Sequence, residues 1–242
     1  MKLLQHNKVV LFDHDGTVVD SETIALESAW RLTNQVACEF PPSQYYELEE
    51  FVKSFAGKPY KEILVSIYKD SVTTLSERDI ETLVAEEEKR AIQQLSVKAF
   101  ATEGTPEVLS YLRDDGFEFA LVSNSSPERL SACLSAAALT EYFPSERIFS
   151  AQGSLPVRRP KPLPDIYLHA VKCLDTKVLD CVAVEDSVSG VLSAAAAGIG
   201  QIIGYVGGTH VTNDERKSRI NALQSAGTHQ IIERMDDLIA LL

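Results

Sequence analysis

Five short apolar runs rich in β-branched residues constrain the fold of this chain more than any other feature: Lys8–Phe12, Glu118–Val122, Arg147–Ser150, Cys181–Val184 and Gln201–Tyr205. Each breaks off after four or five residues, and continuous short runs of this kind suit strands buried on both faces. Between them stand Pro106–Asp114, Pro127–Ala138, Pro164–Leu174 and Val188–Ala197, all with apolar residues at helical spacing. Three of the four open with a proline, which fits the first helical turn because its missing N–H would have no intrahelical partner there. Strands that alternate with helices predict βαβ units and a parallel sheet covered by helices on both faces, an α/β fold.

The pattern changes between Asp20 and about Phe100. No strand candidate occurs there, long helical patterns cover Glu22–Gln35 and Glu77–Gln94, and Pro41-Pro42 and Pro59 mark breaks. An all-helical module is therefore expected as an insertion directly after the first strand, with residues 1–19 and 101–242 forming the α/β core and 20–100 the insert. The two crossings, near Val18–Ser21 and Val97–Thr102, are candidate hinges.

With 242 residues, the chain has room for one large domain carrying such an insert. It holds 35 acidic against 23 basic residues, a formal charge of -12, with no basic cluster to reverse it locally. Long-range repulsion then disfavours nucleic acid and anionic membrane surfaces as partners. No apolar stretch approaches the roughly 18–20 residues of a membrane span. Met1–Lys8 lacks the apolar segment of a secretion signal, so the expected location is cytoplasmic. Cys38, Cys133, Cys173 and Cys181 are scattered and are read as unpaired small hydrophobes, neither disulfides nor zinc ligands.

Four segments carry candidate chemistry. In Phe12-Asp13-His14-Asp15-Gly16-Thr17 two carboxylates leave a buried strand end and enter a glycine turn. One can act as a nucleophile, its neighbour as an acid and base, and the pair can hold a hard cation. Asp-Gly alone is also an ordinary turn. In Val122-Ser123-Asn124-Ser125-Ser126 hydroxyl, amide and helix N-terminal groups could receive a phosphate, although Ser125 or Ser126 could equally be a helix cap. Lys161, set between Pro160 and Pro162, is a point charge suited to a phosphoryl group, or a solvated loop lysine. Glu185-Asp186 ends another apolar run and offers metal ligands or an acidic helix cap. All four fall at strand ends or helix starts, on the sheet edge where open α/β folds bind ligands.

These four motifs, in this order and spanning most of the chain, resemble the haloacid dehalogenase-like (HAD) hydrolases, and more closely their phosphatase and β-phosphoglucomutase-like branch with a helical cap. The resemblance implies a Rossmann-like doubly wound core with an inserted cap at residues 20–100. It implies Asp13 as nucleophile, through an aspartyl-phosphate, and Asp15 as acid and base. Ser123, with Asn124 beside it, and Lys161 would bind the phosphate and count with the aspartates as catalytic residues. Mg²⁺ is the implied cofactor, held by Asp13, the Asp15 main-chain carbonyl, Asp186 and, directly or through water, Glu185.

Phe55-Ala56-Gly57-Lys58 is similar to the substrate-facing loop of such caps, which makes Gly57, Lys58 and, further on, Lys61 candidates for substrate contact together with Glu22. The Asp15 position argues against carbon–halogen cleavage, because a halide leaves without a proton. Ala25 stands where the mutases have a hinge histidine, while Thr17 and Asp20-Ser21-Glu22 look like the sugar-phosphate and 6-phosphogluconate phosphatases. The implied function is hydrolysis of a small phosphorylated metabolite by a monomer or weak homodimer. The alternatives are a mutase-like phosphotransferase and a non-catalytic phospho-ligand binder. His14 is expected to continue the strand's alternation, facing away from the acids as a packing residue, and Arg158 and Arg159 carry no assigned role.

Overall fold

The computed structural model describes residues 9–69, 71 and 74–241; the expectations placed on Met1–Lys8 lie outside these residues. Contacts divide the chain into two units, Met1–Asp20 with Phe100–Leu242, and Ser21–Ala99. The first unit opens with β1 (Val9–Phe12) and β2 (Val19–Asp20), and the second supplies α1 (Glu22–Val36), α2 (Leu48–Phe55), α3 (Tyr60–Tyr68) and α4 (Glu77–Lys98). The chain re-enters the first unit through β3 (Phe100–Ala101), α5 (Thr105–Asp114), β4 (Glu118–Ser123), α6 (Pro127–Ala136), β5 (Ile148–Ser150) and α7 (Asp165–Cys173). It finishes with β6 (Cys181–Glu185), α8 (Val188–Ala197), β7 (Gln201–Tyr205), α9 (Asn213–Ala226), β8 (Gln230–Ile232) and α10 (Asp237–Leu241).

The main sheet has the order β5-β4-β1-β6-β7-β8, and every neighbouring pair is parallel. The chain fills one side of β1 and then crosses to the other, so the order reverses between β1 and β6 and opens a crevice at their carboxyl ends. Both sheet faces are buried. Leu11, Ala120, Val122, Ala183 and Ile202 share a core with Ile166 and Tyr167 of α7, Val191 and Ala194 of α8, and Leu223 of α9. The alternate residues Val10, Phe12, Leu121, Val182, Val184 and Ile203 are also buried, with 1% exposure or less. This double burial is why the strands lack polar alternation. Each such side chain contributes about 1.5–3 kcal/mol by leaving water.

Three parts of this unit go beyond the sequence expectations. β8 is a three-residue edge strand, too short to show a period. The helix α9 buries only Leu223, so it lacks the apolar stripe by which amphipathic helices are read. β2 and β3 are two residues each and pair antiparallel, Val19 with Ala101 and Asp20 with Phe100. That pairing puts Asp20 and Phe100 in the first unit. In the second unit, Leu26, Leu32, Phe51, Phe55, Ile63, Leu64 and Leu83 form the core of the four helices. The helix α4 begins at a capping box in which Ser76 and Asp79 satisfy each other's backbone N–H. No helix among the described residues is long and apolar enough to cross a membrane.

Candidate active site

The site grows from the end of β1. Asp13 N–H donates to the Val184 carbonyl at 2.9 Å, and the His14 carbonyl then accepts from the N–H groups of Thr17, Val18 and Val19 at 3.3, 3.0 and 3.0 Å. This turn needs Gly16, whose φ is +80° and whose Cβ, if present, would lie 2.6 Å from Asp186 Oδ2. Lys161 reaches the turn from the loop after β5. Its Nζ donates to Asp13 Oδ1 at 2.6 Å, Glu185 Oε1 at 2.6 Å and the Val122 carbonyl at 2.7 Å. All three donor positions of the ammonium are thereby used. Asn124 fastens the lysine's loop, its Oδ1 accepting from Lys161 N–H at 2.8 Å. Tyr167 donates to Glu185 Oε1 at 2.6 Å.

Ser123 ends β4 buried, its Oγ accepting from Ser125 N–H at 3.0 Å. Ser125 Oγ in turn donates to Asp15 Oδ2 at 2.6 Å, and Arg129 Nη2 donates to Asp15 Oδ1 at 2.9 Å. The cap of α6 is Ser126, which accepts from Arg129 N–H at 3.3 Å. Of the two serines, then, one caps the helix and the other holds an acid. His14 departs from the expectation that it faces away from the acids, since its Nδ1 stands 3.3 Å from Asp15 Oδ2. The strand ends at Phe12 and the chain is already turning at residue 14, so period-two alternation no longer applies there.

Asp186 does not cap α8; Ser187 does, accepting from Gly190 N–H at 3.0 Å. The Asp186 carboxylate instead meets Thr17 Oγ1 at 3.4 Å, His210 Nε2 at 3.1 Å and Arg219 Nη2 at 3.3 Å. Asp13, Glu185 and Asp186 bring one oxygen each within 4.8 Å of one another, and all three are buried. The Asp15 side chain is turned to Ser125 and Arg129, and the resemblance assigned it to a cation only through its main-chain carbonyl.

The electrostatics separate the acids. Burial, with the nearby charges of Glu185 and Asp186, pushes Asp13 well above the usual carboxylate range against the pull of Lys161. Burial likewise raises Glu185. Burial would also raise Asp15, but Arg129 and His14 outweigh it and hold the group well below that range. Burial at Asp186 is outweighed by His210, Arg219 and Lys161, which lower it. The Asp13 and Glu185 carboxylates raise Lys161 despite its burial, so it stays charged. The cluster of three acids is short of positive charge, and its donors are all hard oxygens. That is the chemistry of a site for a divalent cation.

The remaining sequence candidates lie in the second unit. Glu22 Oε1 accepts from Gly57 N–H, at a glycine with φ +76°. Lys58 Nζ stands 5.4 Å from the centroid of the Phe55 ring. In the first unit, Arg159, left without a role by the sequence, pairs with Asp165 at 2.5 Å. The sequence reading missed Arg129, Tyr167, His210 and Arg219. Only His210 had a local signal, the Gly207-Gly208 pair just beyond a strand end.

Residues 7–198 match the sequence profile of a family described as haloacid dehalogenase-like hydrolase. The chain belongs to this family. It is 28% identical over 192 residues to a 6-phosphogluconate phosphatase of Escherichia coli, covering 79% of this chain and 80% of that protein. It is also 28% identical over 231 residues to a phosphorylated carbohydrates phosphatase of Thermotoga maritima, covering 93% and 94%. Among solved structures it is similar to a haloacid dehalogenase-like protein of unknown function from Agrobacterium tumefaciens. There the TM-score is 0.79 at 32% identity, with 97% of this chain and 96% of that one covered.

Proposed function

We propose that this HAD-like hydrolase is a phosphomonoesterase that uses Mg²⁺, acts on a small phosphorylated metabolite of the sugar-phosphate or phosphogluconate type, and works through an aspartyl-phosphate on Asp13. The observation that carries the reading is the Lys161 ammonium, 2.6 Å from both Asp13 and Glu185, at the crevice where the strand order reverses. A charge so placed fixes a carboxylate nucleophile and neutralises an arriving phosphate. The phosphatase names of the Escherichia coli and Thermotoga maritima relatives support the substrate class.

Asp13 attacks phosphorus, forming a carboxylate O–P bond while the bond to the leaving oxygen breaks. Asp15 delivers a proton to that oxygen and then takes one from the water that hydrolyses the acyl phosphate, restoring Asp13 and releasing inorganic phosphate. The contacts of Asp15 with Arg129 and Ser125 hold it in the ionised, base-competent form, so the donor role requires those contacts to be exchanged when substrate binds. Ser123 and the α6 N-terminus receive phosphate oxygens. Asp13, Glu185 and Asp186 would hold the cation, which when bound supplies positive charge that lowers the repulsion between nucleophile and phosphate. The helical unit Ser21–Ala99 acts as a cap whose Glu22, Gly57 and Lys58 select the substrate.

The test is phosphate release from a panel of sugar phosphates, phosphogluconate, phosphoglycolate and nucleoside monophosphates, with Mg²⁺ or EDTA. Wild type should turn over at least one substrate in Mg²⁺ only, and Asp13→Asn none. Acid-quenched wild type should carry one phosphoryl group on Asp13. Absence of release from every substrate, with an isomerised sugar phosphate found instead, would replace hydrolysis by phosphoryl transfer.

A further inference from the structure

Asp186 is gripped more firmly than burial of one acid demands. Its Oδ2 stands 3.1 Å from His210 Nε2 and 3.3 Å from Arg219 Nη2, and those two nitrogens are 3.1 Å apart. His210 lies on the loop after β7, with its side chain only 2% exposed. Two glycines make the slot it occupies. A Cβ on Gly16 would come within 2.8 Å of His210 Cε1, and one on Gly208 within 2.6 Å of Cε1 and 2.7 Å of Nδ1. A side chain at Gly208 would press on the imidazole and come within 3.0 Å of the Gly16 carbonyl, while one at Gly16 would meet Asp186 Oδ2 itself, at 2.6 Å, as well as the imidazole.

The loop is itself tied down. Thr209 N–H and Oγ1 donate to Asp20 Oδ2 and Oδ1 at 3.1 and 2.8 Å. Val206 N–H donates to the Ile232 carbonyl at 3.0 Å, and Val211 N–H to that of Gly208 at 3.0 Å. Nε2 lies between an acceptor, the Asp186 carboxylate, and a donor, Arg219 Nη2, so the tautomer with its hydrogen on Nε2 donates to Asp186 Oδ2 while the one with it on Nδ1 accepts from Arg219.

We propose that His210 is a positioning residue for Asp186, fixing the orientation of that carboxylate so that it can serve as a ligand for a divalent cation, with Arg219 buttressing the pair from α9. This rests on reading Asp13, Glu185 and Asp186 as a cation site. A ligating carboxylate left without such a partner swings between rotamers, and loss of groups in this position costs about 10- to 100-fold in metal affinity. A space-filling histidine would contribute to stability and leave cation affinity unchanged.

The experiment is calorimetric titration of Mg²⁺ alone into cation-free wild type, His210→Phe, His210→Gln and Gly208→Ala, each with its thermal midpoint recorded before Mg²⁺ is added. His210→Phe keeps a ring and loses the donor, so its Mg²⁺ affinity should fall about 10- to 100-fold. His210→Gln restores a donor near the Nε2 position and should recover most of the affinity that His210→Phe loses. Gly208→Ala retains His210 and displaces it, so it should weaken binding in the same direction, and it decides the matter if His210→Phe does not fold. Wild-type affinity in both His210→Phe and Gly208→Ala, with only their midpoints lowered, overturns the positioning role while the cation site stands. Absence of Mg²⁺ binding by folded wild type overturns the cation site and the positioning role together.

Discussion

Replacing Lys161 by methionine keeps most of the side-chain volume and deletes one charge, so it isolates what the ammonium does. Two charge-assisted contacts at 2.6 Å are lost together, to Asp13 and to Glu185, along with the bond to the Val122 carbonyl. Removing one partner of a buried ion pair costs about 3–5 kcal/mol, because the carboxylates left behind stay desolvated. For a chain of this size that corresponds to a thermal midpoint lower by roughly 10 °C.

The three acids within 4.8 Å then have one positive charge fewer, so Mg²⁺ should stabilise the variant more than wild type. For wild type the gain is about 2.7 kcal/mol at 100 times the dissociation constant. Mg²⁺ should not rescue turnover, because the charge that steadies nucleophile and phosphate is still missing, and kcat should fall about 10²- to 10³-fold or more. The assays are thermal or urea unfolding with and without Mg²⁺, and phosphate release on the substrate found for wild type. A kcat within about tenfold of wild type, well short of that expected loss, refutes the role given to Lys161. Equal Mg²⁺ stabilisation of the two proteins refutes the electrostatic account of the cluster.

Two further substitutions probe the site and its surroundings. Arg129→Met removes the 2.9 Å contact to Asp15, whose partners are only partly exposed at 15% and 18%. It should cost about 1–2 kcal/mol after allowance for screening, and move the acidic limb of the kcat pH profile upward, because Arg129 is what holds Asp15 low; an unmoved limb would mean that Arg129 does not set the state of the acid and base. Ser76→Ala breaks the capping box of α4 and should cost about 1 kcal/mol in a chemical unfolding curve with kcat unaltered. A large loss of turnover in that folded variant would contradict the assignment of chemistry to the first unit.

Much of the core was legible because its determinants are local. Leu11 and Phe12 or Val182 and Val184 read as strand residues since a strand buried on both faces has no room for polar alternation, and Pro127 marks a helix start since its ring suits only that turn. Asp13, Glu185 and Asp186 were found because they end or directly follow such runs, and Asp15 because it stands two residues beyond Asp13 in the glycine turn. Elements whose stability comes from neighbours left little trace, among them α9 with one buried residue, β8 at the sheet edge, and the β2–β3 pair where two distant crossings meet.

The amino-acid sequence by itself determined the alternation of strands and helices, the helical insertion, and which side chains arrive at the carboxyl ends of the strands. These follow from hydrophobic periodicity and backbone preference, which act over a few residues. Only the tertiary structure decided the partners of those side chains. Lys161 meets Asp13 across 148 positions, Arg129 meets Asp15 across 114, and the loop after β7 carries His210 to Asp186. The direction of each pKa shift follows from such contacts, because desolvation and charge depend on what surrounds a group in space and not on what precedes it in the chain.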